Sequence, residues 1–208
     1  MYKNFIIAGL GGSGTKFLAT MLNKSENWNV RHEGMRDNVE GWNVEHIEKC
    51  LQNKRTIENF GDVNGFVRNK LHLIKNVDKK AIILRDTKDI LRSWYDHWQG
   101  WNTDKKVKEY ANHRLYNLFV HTAWTVKNFE NYIKDGIKVI QFSEMVSNLD
   151  YLNEIIKWCE ITDLVLTQND VKKINSHYKK RITYNEIPER DRFLWEQITE
   201  KFNKKYIK

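Results

Sequence analysis

Asn4-Phe-Ile-Ile-Ala-Gly9-Leu-Gly-Gly-Ser-Gly-Thr15-Lys-Phe-Leu18 is the stretch on which the fold turns. The apolar run Phe5–Ala8 is short and ends at a glycine turn, which reads as a buried strand. Beyond the glycines, Phe17, Leu18, Met21 and Leu22 recur at helical spacing. Strand, glycine turn and helix in succession open an α/β domain. Four of the ten glycines in the chain fall between Gly9 and Gly14, a density that packing alone does not require. Glycines let a backbone curl until successive N–H groups converge on an anion, and the helix N-terminus adds its partial positive charge. The turn is therefore expected to hold a phosphate-bearing nucleotide.

Working outward, Trp28–Glu33 is a second strand candidate, and residues 44–52 and 63–76 carry helical periodicity. Ala81–Leu84 is a buried-strand run that ends in Arg85-Asp86. Ile90, Leu91, Trp94 and Trp98 then mark one helix face. Trp94 and Trp98 are expected in the core, Trp101 is left open, and His97 is expected packed or at the surface. A long helix is predicted over Lys105–Lys134, stopped at Gly136. Ile137–Phe142 reads as a strand, and Leu152–Cys159, Val171–Tyr178 and Arg190–Tyr206 as helices. Alternating strands and helices predict an α/β fold, a three-layer α/β/α sandwich on a mainly parallel sheet. With 208 residues, the single proline Pro188, no linker and no repeat, residues 1–208 read as one domain.

The formal net charge of +8 fits either an acidic partner or a solvated lysine-rich surface. No nucleic-acid motif is present, so no nucleic acid is expected as a partner. Cys50 and Cys159 stand apart, in neither metal-ligand nor disulfide-framework spacing, and are expected to be reduced core residues. No metal-ligand cluster is evident. The apolar N-terminal run is too short for a membrane span or a signal-peptide core, and the chain is expected to be cytoplasmic. Oligomeric state is not encoded in any visible pattern.

Three nucleotide-binding patterns fit the glycine turn. Gly9-Leu-Gly11-Gly12-Ser13-Gly14 satisfies the G-x-G-x-x-G dinucleotide fingerprint, and Glu33 follows roughly where a ribose-binding acid would stand. Its usual next strand does not follow promptly, because the next convincing strand begins at residue 81. Gly9 to Gly14 also satisfies most of the Walker A pattern of a P-loop kinase. There, however, Thr15-Lys16 interchanges the phosphate lysine and the magnesium hydroxyl. Ser13-Gly14-Thr15, between a strand and a helix, fits a third pattern, a loop that cradles a 5′-phosphosulfate.

A second motif separates them. Ala81-Ile-Ile-Leu-Arg85-Asp86-Thr-Lys-Asp89-Ile-Leu-Arg-Ser93 ends a buried strand in an arginine and sets a serine eight residues later. An arginine at a strand's C-terminal end faces the ligand crevice of a parallel sheet and can grip a phosphate with two parallel hydrogen bonds. Together the two motifs resemble the sulfotransferases that use 3′-phosphoadenosine 5′-phosphosulfate (PAPS), a family with a P-loop-related fold. Lys138–Val146 and the helix after it are similar to a further segment of that family, in which Glu144 is expected to be structural. The resemblance runs in order from residue 4 to about residue 161.

The resemblance implies that Gly11, Gly12, Ser13, Gly14, Thr15, Lys16 and Phe17 cradle the 5′-phosphosulfate. It also implies that Arg85 and Ser93 bind the 3′-phosphate. Gly12 stands where the family has a basic residue, and Lys16 is the candidate to supply that charge. Thr87 replaces a proline and is expected to alter only the turn. Lys179-Lys180-Arg181 is the nearest match to the family's third, basic cofactor element, with Lys180 and Arg181 the candidate contacts. An exposed helix end explains the same residues.

Sulfuryl transfer needs a base, a stabilised leaving oxygen and in-line geometry, without a metal. Glu33 is the candidate base and Lys16 the candidate stabiliser. Because successive strand residues face opposite sides, only one of His32 and Glu33 is expected to reach the site. The expected function is transfer from PAPS to an acceptor hydroxyl or amine, on a small molecule or a glycan, releasing adenosine 3′,5′-bisphosphate (PAP). The alternatives are a P-loop kinase, a Rossmann-type dinucleotide binder, and a PAPS-binding protein that has lost activity.

Overall fold

A computed structural model describes residues 2–10, 12–34, 44–65, 67–99, 105–175 and 182–207; the side chains at 97–99, 105–114 and 172–175 are not among those described. Five strands form one sheet, all parallel, in the order β2-β3-β1-β4-β5. They are β1 (Asn4–Gly9), β2 (Asn29–His32), β3 (Phe60–Asn64), β4 (Lys79–Leu84) and β5 (Lys138–Gln141). The helices are α1 (Thr15–Leu22), α2 (Val44–Arg55), α3 (Thr87–Gln99), α4 (Lys105–Lys134), α5 (Phe142–Ser147), α6 (Leu149–Trp158), α7 (Gln168–Asn175) and α8 (Glu189–Tyr206).

Period-two alternation in the central strand sorts the layers. Phe5 and Ile7 of β1 point into a core with Leu18, Met21 and Leu22 of α1, Met145 of α5, and Leu152 and Ile155 of α6. Ile6 and Ala8 point the other way, onto Ile47 and Leu51 of α2, Phe129 and Tyr132 of α4, and Phe202 of α8. Helices therefore cover both faces of the sheet, and the inner strands β1 and β3 are buried throughout. Among the described residues, no helix is long and apolar enough to cross a membrane.

Two sequence expectations are corrected. The segment 63–76 is not a helix: its first two residues complete β3, and among its described residues the one helical element is the 3-10 turn Leu71–Leu73. A strand thus lies well before residue 81, paired with β1 through Phe5↔Gly61. Gly61 is glycine because the Phe5 ring lies across it, in the space where a β-carbon would stand.

Thr87 also does more than shape a turn. It is fully buried; Trp195 Nε1 donates to its carbonyl at 2.8 Å and Asn203 Nδ2 to its hydroxyl at 2.7 Å. A proline there would have no hydroxyl for Asn203.

Candidate functional site

From β1 the chain leaves toward β2 on one side of the sheet, and from β4 it leaves toward β5 on the other. The carboxyl ends of β1 and β4 are neighbours, so a crevice opens between them where the connections diverge. The glycine turn ends β1 and Arg85 follows β4, so both motifs occupy this one crevice.

The turn is closed by the Ser13 N–H, which donates to the Leu10 carbonyl at 2.8 Å. That amide is thereby used inside the turn. Gly12 has φ 79 and Gly14, the residue preceding α1, has φ 88. No side chain caps α1 and its first turn holds no acidic residue. Its opening N–H groups are the donors a helix leaves for an anion. Ser13 is fully buried against Gly9, and its hydroxyl has no hydrogen-bond partner among the described residues.

Arg85 lies over this turn. Its guanidinium donates to the Gly12 carbonyl, stacks on the Phe142 ring at 4.4 Å, and stands 3.7 Å from Asp89. Asp89 is itself paired with Arg92 at 2.8 Å. Ser93, on the second turn of α3, is buried, and its Oγ would lie 3.2 Å from a β-carbon placed on Gly12. The expected phosphate-binding arginine and serine thus converge on the glycine turn. Beside them a cavity of about 320 Å³ opens between Arg85, Asp86, Gln141, Phe142 and Asn203.

The departure at Gly12 has a local cause. Its left-handed backbone and the close approach of Ser93 leave little room for a lysine or arginine side chain. Lys16 is exposed in the first turn of α1, and its charge is felt at His32. Phe17 is half-buried and packs against the α1 core. Gly11, Lys180, Arg181 and Trp101, and the side chains of His97 and Trp98, lie outside the described residues. Trp94 is half-buried against a third core cluster around Trp195, as expected.

The other wall of the crevice is built at the ends of β2 and β3. β2 stops at His32, and Glu33 follows with φ 56, its N–H donating to the Val63 carbonyl at 3.2 Å. This break in the strand overturns the expected alternation, because both side chains turn toward the glycine loop. His32 Nε2 is 3.1 Å from Thr15 Oγ1, and Glu33 Oε1 is 3.8 Å from the same nitrogen. Burial lowers the His32 pKa; Glu33 opposes that shift and Lys16 adds to it. Glu33 Oε1 would lie 3.5 Å, and the Gly9 carbonyl oxygen 3.7 Å, from a β-carbon on Gly65.

Sequence reasoning missed the residues beneath this wall. Asp62 is fully buried and accepts from the Gly34 N–H and from Asn64 Nδ2, each at 2.8 Å. Burial pushes its carboxyl up to about 6, against those two hydrogen bonds. Arg68, also buried, donates to the Gly65 carbonyl. A charged residue next to a short strand carries no sequence signal of burial, so neither was detectable. Glu144 is exposed on α5, its Oε2 at 3.5 Å from Asn148 Nδ2. Among the described residues, no three His, Cys, Asp or Glu side chains group as metal ligands.

The crevice thus joins an uncapped helix N-terminus and a stacked arginine on one side to a histidine–glutamate pair on the other. It can hold an anion beside a proton acceptor. Comparison with protein-family models, with curated proteins and with solved structures yields no match to this chain.

Proposed function

We propose that this chain is a PAPS-dependent sulfotransferase with a P-loop-related nucleotide site. The observation that carries the reading is the meeting of Arg85 and Ser93 with Gly12 across one crevice. A dinucleotide or ATP site gives no reason for an arginine and a serine eight residues apart to converge on the glycine turn.

In this reading the 5′-phosphosulfate lies against the opening N–H groups of α1, with Thr15 and Lys16 beside it. Arg85 and Ser93 take the 3′-phosphate, the guanidinium exchanging the Gly12 carbonyl for phosphate oxygens. The buried, unpartnered Ser13 hydroxyl is destabilising by about 1–3 kcal/mol, so a ligand oxygen reaching it would recover much of that. The acceptor oxygen forms a bond to sulfur as the bond from sulfur to the 5′-phosphate oxygen breaks. Glu33 takes the acceptor's proton, and the electron pair stays on the phosphate oxygen, where Lys16 stabilises it. PAP leaves. The acceptor, a small molecule or a glycan, enters on the Glu33 side.

Ligand-induced thermal stabilisation tests the reading. PAP without magnesium raises the melting temperature; at a hundredfold excess over its Kd the gain is about 2.7 kcal/mol, or roughly 5–10 °C for a chain of this size. Mg-ATP and NAD give little. Stabilisation by either of these, with none by PAP, would overturn it.

A further inference from the structure

Sulfuryl transfer as proposed gives no role to the cation that faces Glu33 from the end of β3. Arg68 is 6% exposed and is fixed at both ends. Its backbone carbonyl accepts from the Tyr132 hydroxyl of α4, and its Nη1 donates to the Gly65 carbonyl. Its Nε has no hydrogen-bond partner among the described residues. Glu33 Oε1 lies near the same residue, 3.5 Å from where a β-carbon on Gly65 would stand. Arg68 and Glu33 are therefore both neighbours of Gly65, Arg68 at its carbonyl and Glu33 beside its open α-carbon face.

We propose that Arg68 is a positioning residue for Glu33: a fixed, buried counter-charge that holds the Glu33 carboxylate against the end of β1. The inference rests on Glu33 being the base of the proposed transfer. A base has to be held at one aim, and β2 has already ended when the chain reaches Glu33. The backbone there is left-handed and leaves the aim to the side chain's partners.

The surrounding charges single out this pair. Burial pushes the Arg68 guanidinium down to about 10, and Glu33 is the strongest group opposing that shift, ahead of Tyr132. His121, from α4, is pushed down to about 4 by burial, then by Arg68 and Lys70, so at neutral pH it is uncharged and does not compensate Arg68. Asp62 is occupied by the Gly34 N–H and the Asn64 amide. A buried guanidinium left without its anion is strongly destabilising. Glu33 therefore has a double duty, toward the acceptor and toward Arg68.

The test is a double-mutant cycle on the full chain, read by melting temperature, PAP affinity and PAPS turnover. Glu33→Gln should lower the melting temperature by about 5 °C or more, whereas Glu33→Asp keeps most of it. In an Arg68→Met background, Glu33→Gln should cost nothing further. PAP affinity stays within about twofold in Arg68→Lys and Arg68→Met. PAPS turnover falls about tenfold or more in Arg68→Met at unchanged KM, and Arg68→Lys recovers part of it.

Additive losses of stability, or a Glu33→Gln protein that melts like the wild type, overturn the proposal. So does a tenfold loss of PAP affinity in both Arg68 variants, which would make Arg68 a phosphate ligand. Where Arg68→Met does not fold, Glu33→Gln against Glu33→Asp decides, and equal losses in the two overturn the pairing. Wild-type protein that neither binds PAP nor consumes PAPS sinks the sulfotransferase reading alone; the stability cycle still decides whether Arg68 holds Glu33.

Discussion

On the β1–β4 side of the crevice, charge lies along the glycine turn. Lys16 is exposed, Arg85 is stacked on Phe142, and α1 opens without a side-chain cap. On the β2–β3 side, charge is inside the protein: Asp62 is fully buried, Arg68 nearly so, and Glu33 leans on Gly65 between them. The first arrangement can exchange water or a backbone carbonyl for a ligand's oxygens at small cost. At the buried Asp62 and Arg68 of the second there is little water to exchange. The proposed binding and the proposed proton transfer thus fall on opposite walls, with different physics on each.

Substitutions that separate the two walls test this division. The largest effect is expected at Glu33. Glu33→Gln should cut sulfuryl transfer by about 100- to 10,000-fold while PAP binding, measured by calorimetry, is retained. Loss of PAP binding in that variant would merge the walls into one.

Asp62 comes next, through pH. Its carboxyl is raised to about 6 in the folded protein, above the usual aspartate range, so the native state holds a proton that the unfolded chain releases earlier. The stability from this group is full below about pH 4 and is lost as pH rises through about 6, a change on the order of 3 kcal/mol. Urea midpoints from pH 4 to pH 7 should show this fall in the wild type, and Asp62→Asn should lack it. Parallel curves for the two proteins would mean that Asp62 is not held as the fold implies.

On the phosphate wall, Arg85→Ala should weaken PAP by about 10- to 100-fold, the range expected for charged hydrogen bonds. Adenosine 5′-phosphosulfate, which lacks the 3′-phosphate, should lose far less. Equal losses would move Arg85 away from that phosphate.

The smallest effect is expected at Gly12. Gly12→Lys restores the residue type of the sulfotransferase loop but forces a side chain into a left-handed backbone beside Ser93. It should destabilise by about 1–2 kcal/mol without improving PAP binding. Tighter binding in that variant would show that the turn has another accessible conformation.

The same division separates what could be read from the sequence from what could not. Glycines at fixed spacing after an apolar run, and an arginine and a serine eight residues apart, are local patterns. Each states its chemistry without knowledge of the fold. β3 is different: Phe60-Gly-Asp-Val-Asn64 has a single β-branched residue, and its glycine exists because Phe5, more than fifty positions earlier, covers it. With the strand unread, the apolar spacing of 63–76 passed for a helix, and Arg68 within it drew no attention. His32 and Glu33 were found, but the rule of alternation failed where β2 ends and Glu33 turns left-handed. The long helix α4 was legible throughout because its pattern is local and sustained.

Thr87 links the phosphate wall to a distant part of the chain. Two residues after Arg85, it is gripped by Trp195 and Asn203 of α8, more than a hundred positions further along the chain. When α8 lifts, the start of α3 loses both anchors, and the turn carrying Arg85 is released with it. The two segments therefore belong to one cooperative unit, and their backbone amides should trade hydrogen with solvent at a common rate. Trp195 is fully buried, and a substitution there can then loosen the turn that carries Arg85 from a distance.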